Sequence, residues 1–300
     1  MRNFFFTGAG LLLLYGLPLS RLATFALQSS LYSHIVLIPF ISLYLIWQRR
    51  ATLPPISAPD RPLALLAFAV AAASLAGALL ASLGGIALAR EDSLALTTLS
   101  FLGALTGLCA WQLGREKLRA ISFPLAFLVF MIPLPKILEA GVEFLLQQGS
   151  AAAAQALFTL AGTTVFADGL VFQLPGITLQ IAPECSGIHS SLALFICSIL
   201  AGYFFLRSPV RRAALALAVI PLALLRNGLR VFVLGELCVR KGPEMIDSPL
   251  HHQGGPYFFV LSLIPFFLLL LLLMRTERTT SAASGSSKTN PAKTADISSG

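Results

Sequence analysis

Long apolar runs, broken at intervals by short basic or turn-forming clusters, set the pattern of this 300-residue chain. A helix that crosses a bilayer needs roughly 20 mostly apolar residues, within a range of about 17 to 25. Runs near 4–20, 28–48, 62–84, 93–113, 119–135, 187–206, 212–234 and 256–274 approach that length. The pattern therefore predicts an all-α polytopic membrane protein with about eight transmembrane helices. Pro39, Pro124 and Pro221 fall inside these runs, which membrane helices tolerate because neighbouring groups re-satisfy the freed backbone. The first run, MRNFFFTGAGLLLLYGLPLSRLA, has the Arg2 and apolar stretch of a signal peptide. It reads as an uncleaved span, because the next apolar run follows too closely for a mature soluble domain to begin.

Between residues 136 and 182 the apolar signal weakens. ILEAGVEFLLQQGSAAAAQALFTLAG reads as a helix with Glu139, Glu143, Gln147 and Gln148 on its polar side, suited to lying along the outer interface. In GLVFQLPGITLQI, Leu170, Phe172 and Leu174 alternate with Val171 and Gln173, and Ile177, Leu179 and Ile181 alternate with Thr178 and Gln180. Period-two alternation on both sides of Pro175-Gly176 predicts a short β-hairpin before the sixth span. Its second strand leads directly to Glu184 and Cys185. The last stretch, TTSAASGSSKTNPAKTADISSG, lacks periodicity and is rich in Ser, Thr, Ala and Lys. The expected organisation is a membrane domain over 1–278 and a disordered cytoplasmic tail over 279–300.

Composition narrows the class. Charged residues make up 11% of the chain and apolar ones 56%, with a mean hydropathy of +0.83. A soluble domain carries roughly 25% charged residues, so a soluble core of this size would lack a polar coat. The net charge of +8 does not point to nucleic acid, because no basic face with interleaved aromatics appears. Basic residues cluster instead between apolar runs. Arg2, Arg49, Arg50, Arg61, Arg115, Lys117, Arg119, Arg207, Arg211, Arg212, Arg275 and Arg278 mark one set of helix ends. Only Arg21, Arg90, Lys136, Arg240 and Lys241 mark the other. The positive-inside rule places both termini in the cytoplasm and the hairpin outside. The four cysteines show neither CxxC spacing nor a zinc pattern, and neither a metal nor a cofactor is expected.

Three polar groups are expected on the outer face. Cys185, in QIAPECSGIHSS, follows a strand and opens the sixth span. Amide dipoles at a helix start favour a thiolate, so from context alone it is either a small buried thiol or a nucleophile. Cys109, Cys197 and Cys238 read as buried hydrophobes. In LLRNGLRVFVLGELC, Arg226, Asn227 and Arg230 interrupt an apolar run. Arginine at membrane depth faces a partner or a wet cavity. The plainer alternative is snorkelling to headgroups or pairing with Glu236. Arg230 lies about 27 Å along the helix from Arg212, near the outer boundary, and Arg226 shares its face one turn deeper. In DSPLHHQGGPYFF, His251 and His252 close the loop before the last span. Thiol, guanidinium and imidazole are the parts that cysteine catalysis uses for attack, oxyanion stabilisation and proton transfer.

On these residues the chain resembles the exosortase/archaeosortase family of multi-pass membrane cysteine transpeptidases. APECSGIHSSLALF, RNGLRV and LHHQGGPYFF resemble that family's Cys-Ser-Gly, Asn-x-x-Arg and histidine motifs in the same order, and SHIVLIPFISLYLIW, headed by His34, resembles another family segment. The resemblance spans about residues 33 to 275. It implies that Cys185 is the nucleophile, Arg230 the oxyanion-stabilising arginine and His251 the proton carrier. His252 and His189 are alternative proton carriers, and Arg226 and Asn227 are supporting residues. Glu184 would raise the thiol pKa if ionised nearby, so it fits better against an arginine. The resemblance further implies secreted partner proteins bearing a C-terminal sorting motif, a transmembrane helix and a basic tail (PEP-CTERM-like), often linked to exopolysaccharide, in the inner membrane. Two other classes are open to such a chain: a transporter binding an anion at its arginines, and a non-catalytic component of exopolysaccharide export.

Overall fold

A bilayer offers no partners to backbone N–H and C=O groups, and a helix satisfies them internally. The computed structural model describes residues 2–181, 186–242, 244–245 and 255–286. Along the chain these form α1 (Arg2–Leu14), α2 (Gly16–Gln28), α3 (Ile38–Gln48), α4 (Arg61–Leu83), α5 (Arg90–Ala120), α6 (Ser122–Phe127) and α7 (Lys136–Ala161). Strands β1 (Phe166–Asp168), β2 (Val171–Leu174) and β3 (Ile177–Gln180) follow, then α8 (Ile188–Phe205), α9 (Pro209–Lys241) and α10 (Gly255–Ser286).

The chain is an integral, polytopic membrane protein. Five described helices are long and apolar enough to cross a membrane: α4, α5, α8, α9 and the Gly255–Glu277 part of α10. Counting two bent pairs as single spans raises the number to seven. One pair is Phe4–Leu14 with Gly16–Gln28, bent by 63°, and the other is Ser122–Met131 with α7. The first expected span thus extends to Gln28 through a bend at Tyr15. The run expected over 28–48 is a shorter apolar helix, Ser33–Gln48, that opens with a 3-10 turn over Ser33–Val36. The run expected over 119–135 is likewise broken, because Pro133 and Pro135 interrupt it before α7 begins.

The chain divides into two units, Met1–Gly141 and Val142–Gly300. In the first, α5 is the central helix: 56% of its apolar window is buried, against 22% for α4. Small residues let the two approach, since a Cβ on Gly103 would lie 3.0 Å from the Ala67 carbonyl oxygen. Gly114, at φ +76°, turns the chain so that the backbone at Ser57 and Ala58 lies where a side chain would be. Ser57 N–H then donates to Leu113 O at 3.2 Å and Asp60 N–H to Ala110 O at 3.0 Å. A polar network ties three segments together. The buried Tyr32 hydroxyl donates to Glu139 Oε2 at 2.8 Å, Lys136 Nζ meets Glu139 Oε1 at 3.0 Å, and Lys136 N–H donates to Asp92 Oδ1 at 2.8 Å. Burial, then the bond to Glu139 and its charge, push the Tyr32 phenol far above its ordinary range.

In the second unit α8, α9 and α10 pack around Leu194, Leu206, Leu215, Val219, Phe266 and Leu270. At one end of this trio Glu277 accepts from the Arg207 and Ser208 N–H groups at 3.0 and 2.7 Å and pairs with Arg211 at 3.4 Å. The chain just before α9 is thereby tied to another helix. The expected hairpin is present, with Val171 opposite Gln180 and Leu174 opposite Ile177. An unexpected third strand, β1, pairs antiparallel with β2. The alternation is observed as read: Phe172, Leu174, Leu179 and Ile181 are buried against Ala151, Ala154 and Phe158 of α7, with Val231, Phe232 and Val239 of α9 alongside. One side of α7 departs from expectation, because Gln147 is buried, not part of a wet polar face. Cys109 and Cys238 are buried as expected, whereas Cys197 is exposed on α8. The last helix runs to Ser286, past the expected tail boundary.

Close packing of α7 on α9 rests on missing side chains. A Cβ on Gly228 would lie 2.6 Å from Ala153 Cβ and 3.0 Å from the Ala154 backbone nitrogen. One on Gly235 would lie 2.5 Å from the Phe158 ring. Without a hydrophobic drive between helices in lipid, such small residues are what permits close dispersion contact. Gly228→Val is therefore expected to cost about 1–3 kcal/mol through overpacking, seen as a lower melting temperature in detergent. Gly8→Val, at a position with nothing within 4 Å, is the matched control and is expected to be neutral.

Candidate active site

Of the residues singled out in the sequence, Arg226, Asn227, Arg230 and His189 are described. Glu184, Cys185, His251 and His252 lie outside the described residues. The described part of the site is built where the start of α8 meets the middle of α9. These helices run antiparallel: Arg212 Nε donates to Leu206 O at 2.8 Å at one end, and Arg226 reaches Gly187 at the other.

Gly187, two residues after Cys185, caps α8 at φ +72° and ψ 18°. That left-handed conformation favours glycine, which has no Cβ to strain it. A Cβ there would also lie 3.1 Å from Arg226 Nη2 and 3.2 Å from Asn227 Oδ1. Space and dihedral angle together explain the glycine of Cys-Ser-Gly. Ser186 before it is buried, and its hydroxyl accepts from Ile188 N–H at 3.4 Å.

The Gly187 carbonyl gathers donors. Ser191 N–H reaches it at 3.0 Å, the Ser191 hydroxyl at 2.8 Å, the Ser190 hydroxyl at 3.1 Å and Arg226 Nη2 at 3.3 Å. Arg226 Nη2 also donates to Ser191 Oγ at 3.1 Å, so the guanidinium bridges the first turn of α8. Arg226 is only 7% exposed. Its Nη1 has no hydrogen-bond partner among the described residues. A buried cation with donor capacity to spare, beside the positive end of a helix dipole, favours an anionic group at that point. The arrangement suits a thiolate or a tetrahedral oxyanion.

Asn227 faces α7 and donates from Nδ2 to Ser150 Oγ at 3.0 Å, with both residues buried. Arg230 is half-buried on the uninterrupted α9 helix, about 6 Å further from the Arg212 end than Arg226. Glu236 is engaged by Arg240 at 2.9 Å and by the Thr163 hydroxyl, so the plainer alternative of a pair with Arg226 is not what is seen. His189 is exposed on α8, while Ser190 and Ser191 turn back onto the cap. Sequence reasoning passed over Gly187, Ser191 and Ser150. The four-residue spacing of Gly187 and Ser191 was a usable signal, since it spans one helical turn. Nothing in the sequence linked Ser150 to Asn227.

A family model described as transmembrane exosortase matches residues 22–268. Comparison with curated proteins and with solved structures returns no match.

The Asn227–Ser150 bond joins two helices at a buried point, where polar pairs between membrane helices contribute about 1 kcal/mol. Asn227→Leu and Ser150→Ala are each expected to lower the detergent melting temperature. In a double-mutant cycle the pair is expected to show a coupling of about 1 kcal/mol; additive effects would mean the bond carries no stability.

Proposed function

Because the chain belongs to the transmembrane exosortase family, whose membership supports a membrane transpeptidase-type role, we propose that it is a cysteine transpeptidase acting at the outer face of the cytoplasmic membrane. Its substrates are secreted proteins with a C-terminal sorting motif, a transmembrane helix and a basic tail. The observation that carries this reading is the bond from Arg226 to Gly187, which joins the RNGLR segment to the segment two residues beyond Cys185. Two motifs 39 residues apart meet at one point of one helix pair.

The substrate helix docks laterally among the spans, leaving its sorting motif at the interface. The Cys185 thiolate attacks the scissile carbonyl and the electron pair moves onto oxygen, where Arg230 stabilises it. The intermediate collapses, the C–N bond breaks, and His251 supplies the proton that the leaving amine takes. The tail helix departs and the protein is held as a thioester. An acceptor amine, or water, attacks that thioester, loses a proton to the same imidazole and returns Cys185 as thiolate. The β2–β3 hairpin, which leads to Cys185, binds the extended motif by strand addition. The grouping of Arg207, Arg211 and Arg212 at the opposite end of α8 from Gly187 supports an extracytoplasmic site.

With a tripartite-tail protein co-expressed, mass spectrometry is expected to find the processed form with the wild type and none with Cys185→Ala, although that variant still inserts. Processing that survives in Cys185→Ala excludes covalent catalysis through this residue. Arg230→Lys is expected to lose at least 100-fold in processing rate, since one ammonium does not reproduce a planar fork. His251→Ala is expected to be inactive and His252→Ala active; the reverse result moves the proton carrier by one residue. A transporter predicts flux across vesicles that tolerates Cys185→Ser, and an export scaffold predicts no labelling of Cys185 by a maleimide; both predict no processed form even with the wild type.

A further inference from the structure

The mechanism above uses Arg230 and leaves Arg226 without a task, yet Arg226 has the more specific surroundings. Three observations bear on it. It is 7% exposed in the middle of α9. Its Nη2 bonds both the Gly187 carbonyl, at 3.3 Å, and Ser191 Oγ, at 3.1 Å. Gly187 itself has left-handed dihedral angles, and a Cβ there would lie in tight contact with Arg226 Nη2, at 3.1 Å.

These facts have a common consequence. The direction in which the chain arrives at α8 is set by the Gly187 dihedral angles. Those angles are held by the carbonyl of Gly187, and that carbonyl is fixed from two sides. Ser190 and Ser191 pull it along the axis of α8, while Arg226 pulls it towards α9. Snorkelling is excluded for a side chain so buried. A role in helix packing alone is a poor fit, because an apolar residue of similar volume would pack there without a desolvated charge.

We propose that Arg226 is a positioning residue of the transpeptidase site: by bridging Gly187 O and Ser191 Oγ it locks the turn after Cys185 and so sets the angle from which the thiol meets the scissile carbonyl. Arg226 thus acts through Gly187, whereas Arg230 acts on the substrate. The two arginines of RNGLR have separate tasks, and neither replaces the other. This inference rests on the transpeptidase reading for its kinetic consequence, but its structural part is independent of that reading.

The test uses the full chain in proteoliposomes, in a background with Cys109, Cys197 and Cys238 changed to serine. Two readouts are taken at fixed pH: the rate of Cys185 alkylation by iodoacetamide, and kcat and KM for a tripartite-tail substrate. Arg226→Gln is expected to lower kcat at least 30-fold with KM within threefold. Arg226→Lys is expected to recover no more than a tenth of wild-type kcat, because one ammonium does not bridge both acceptors. Ser191→Ala, a smaller change that keeps α8 intact, is expected to lower kcat about fivefold. It keeps the proposal testable if Arg226→Gln fails to fold. Gly187→Ala combined with Arg226→Gln is expected to be no worse than either single variant, since both act on one turn. Alkylation is expected to change with each variant, whatever the reaction catalysed.

Independent, multiplying losses from Gly187→Ala and Arg226→Gln would overturn the proposal, as would a loss confined to KM. So would unchanged alkylation and kcat in Arg226→Gln. If the wild type alkylates as expected and Arg226→Gln shifts that rate, but no substrate is processed even with Cys185 intact, the transpeptidase reading fails while the positioning of the turn stands.

Discussion

Arg226 keeps a full guanidinium inside a helix pair whose other contacts are almost all apolar, with a single amino group engaged among the described residues. A cation removed from water is tolerated only where dipoles or anions replace the lost hydration. Here the replacement comes from the Gly187 carbonyl and the Ser191 hydroxyl at the first turn of α8. The arginine needs an acceptor at that depth, and the Gly187 carbonyl supplies one although it already accepts from Ser190 and Ser191 of its own helix. This contact at one end and the Arg212–Leu206 bond at the other join α8 to α9 in antiparallel order.

The rest of the second unit supports that join. Gly228 and Gly235 on α9 bring α7 within direct contact, and Asn227 adds one buried hydrogen bond to Ser150. Both neighbours lie against Gly187 at the start of α8, and Asn227 also reaches α7 through Nδ2. The adjacent pair is thus a hub for three helices. The small sheet packs on the same two helices, α7 and α9, through Phe158, Phe172 and Phe232. The strand that precedes Cys185 in the chain and the arginines thus share one scaffold.

Function follows from how little of this is free to move. A transpeptidase has to present a nucleophile and an oxyanion donor to one carbonyl within a few tenths of an ångström. A membrane helix pair achieves that more readily than a surface loop, because most buried polar groups on it are already committed. The cost is that a single unsatisfied donor, such as Nη1 of Arg226, stands out.

Much of this was legible in one dimension. Run lengths and the distribution of Lys and Arg were enough for a polytopic helical protein, since spanning length and charge placement are local properties of a segment in a bilayer. Alternation around Pro175-Gly176 was enough for the hairpin and for its buried face, and the Cys-Ser-Gly, Asn-x-x-Arg and His-His segments were visible as motifs. The bends at Tyr15 and before α7, the strand at Phe166–Asp168, the burial of Gln147 and the exposure of Cys197 were not, because each depends on what lies against the segment. The same holds for the contacts of the two arginines. Their spacing put Arg226 and Arg230 on one face of a helix, but which one reaches Gly187 is decided by the register of α8 against α9. That register is fixed by side-chain volumes and buried hydrogen bonds between segments far apart in the chain.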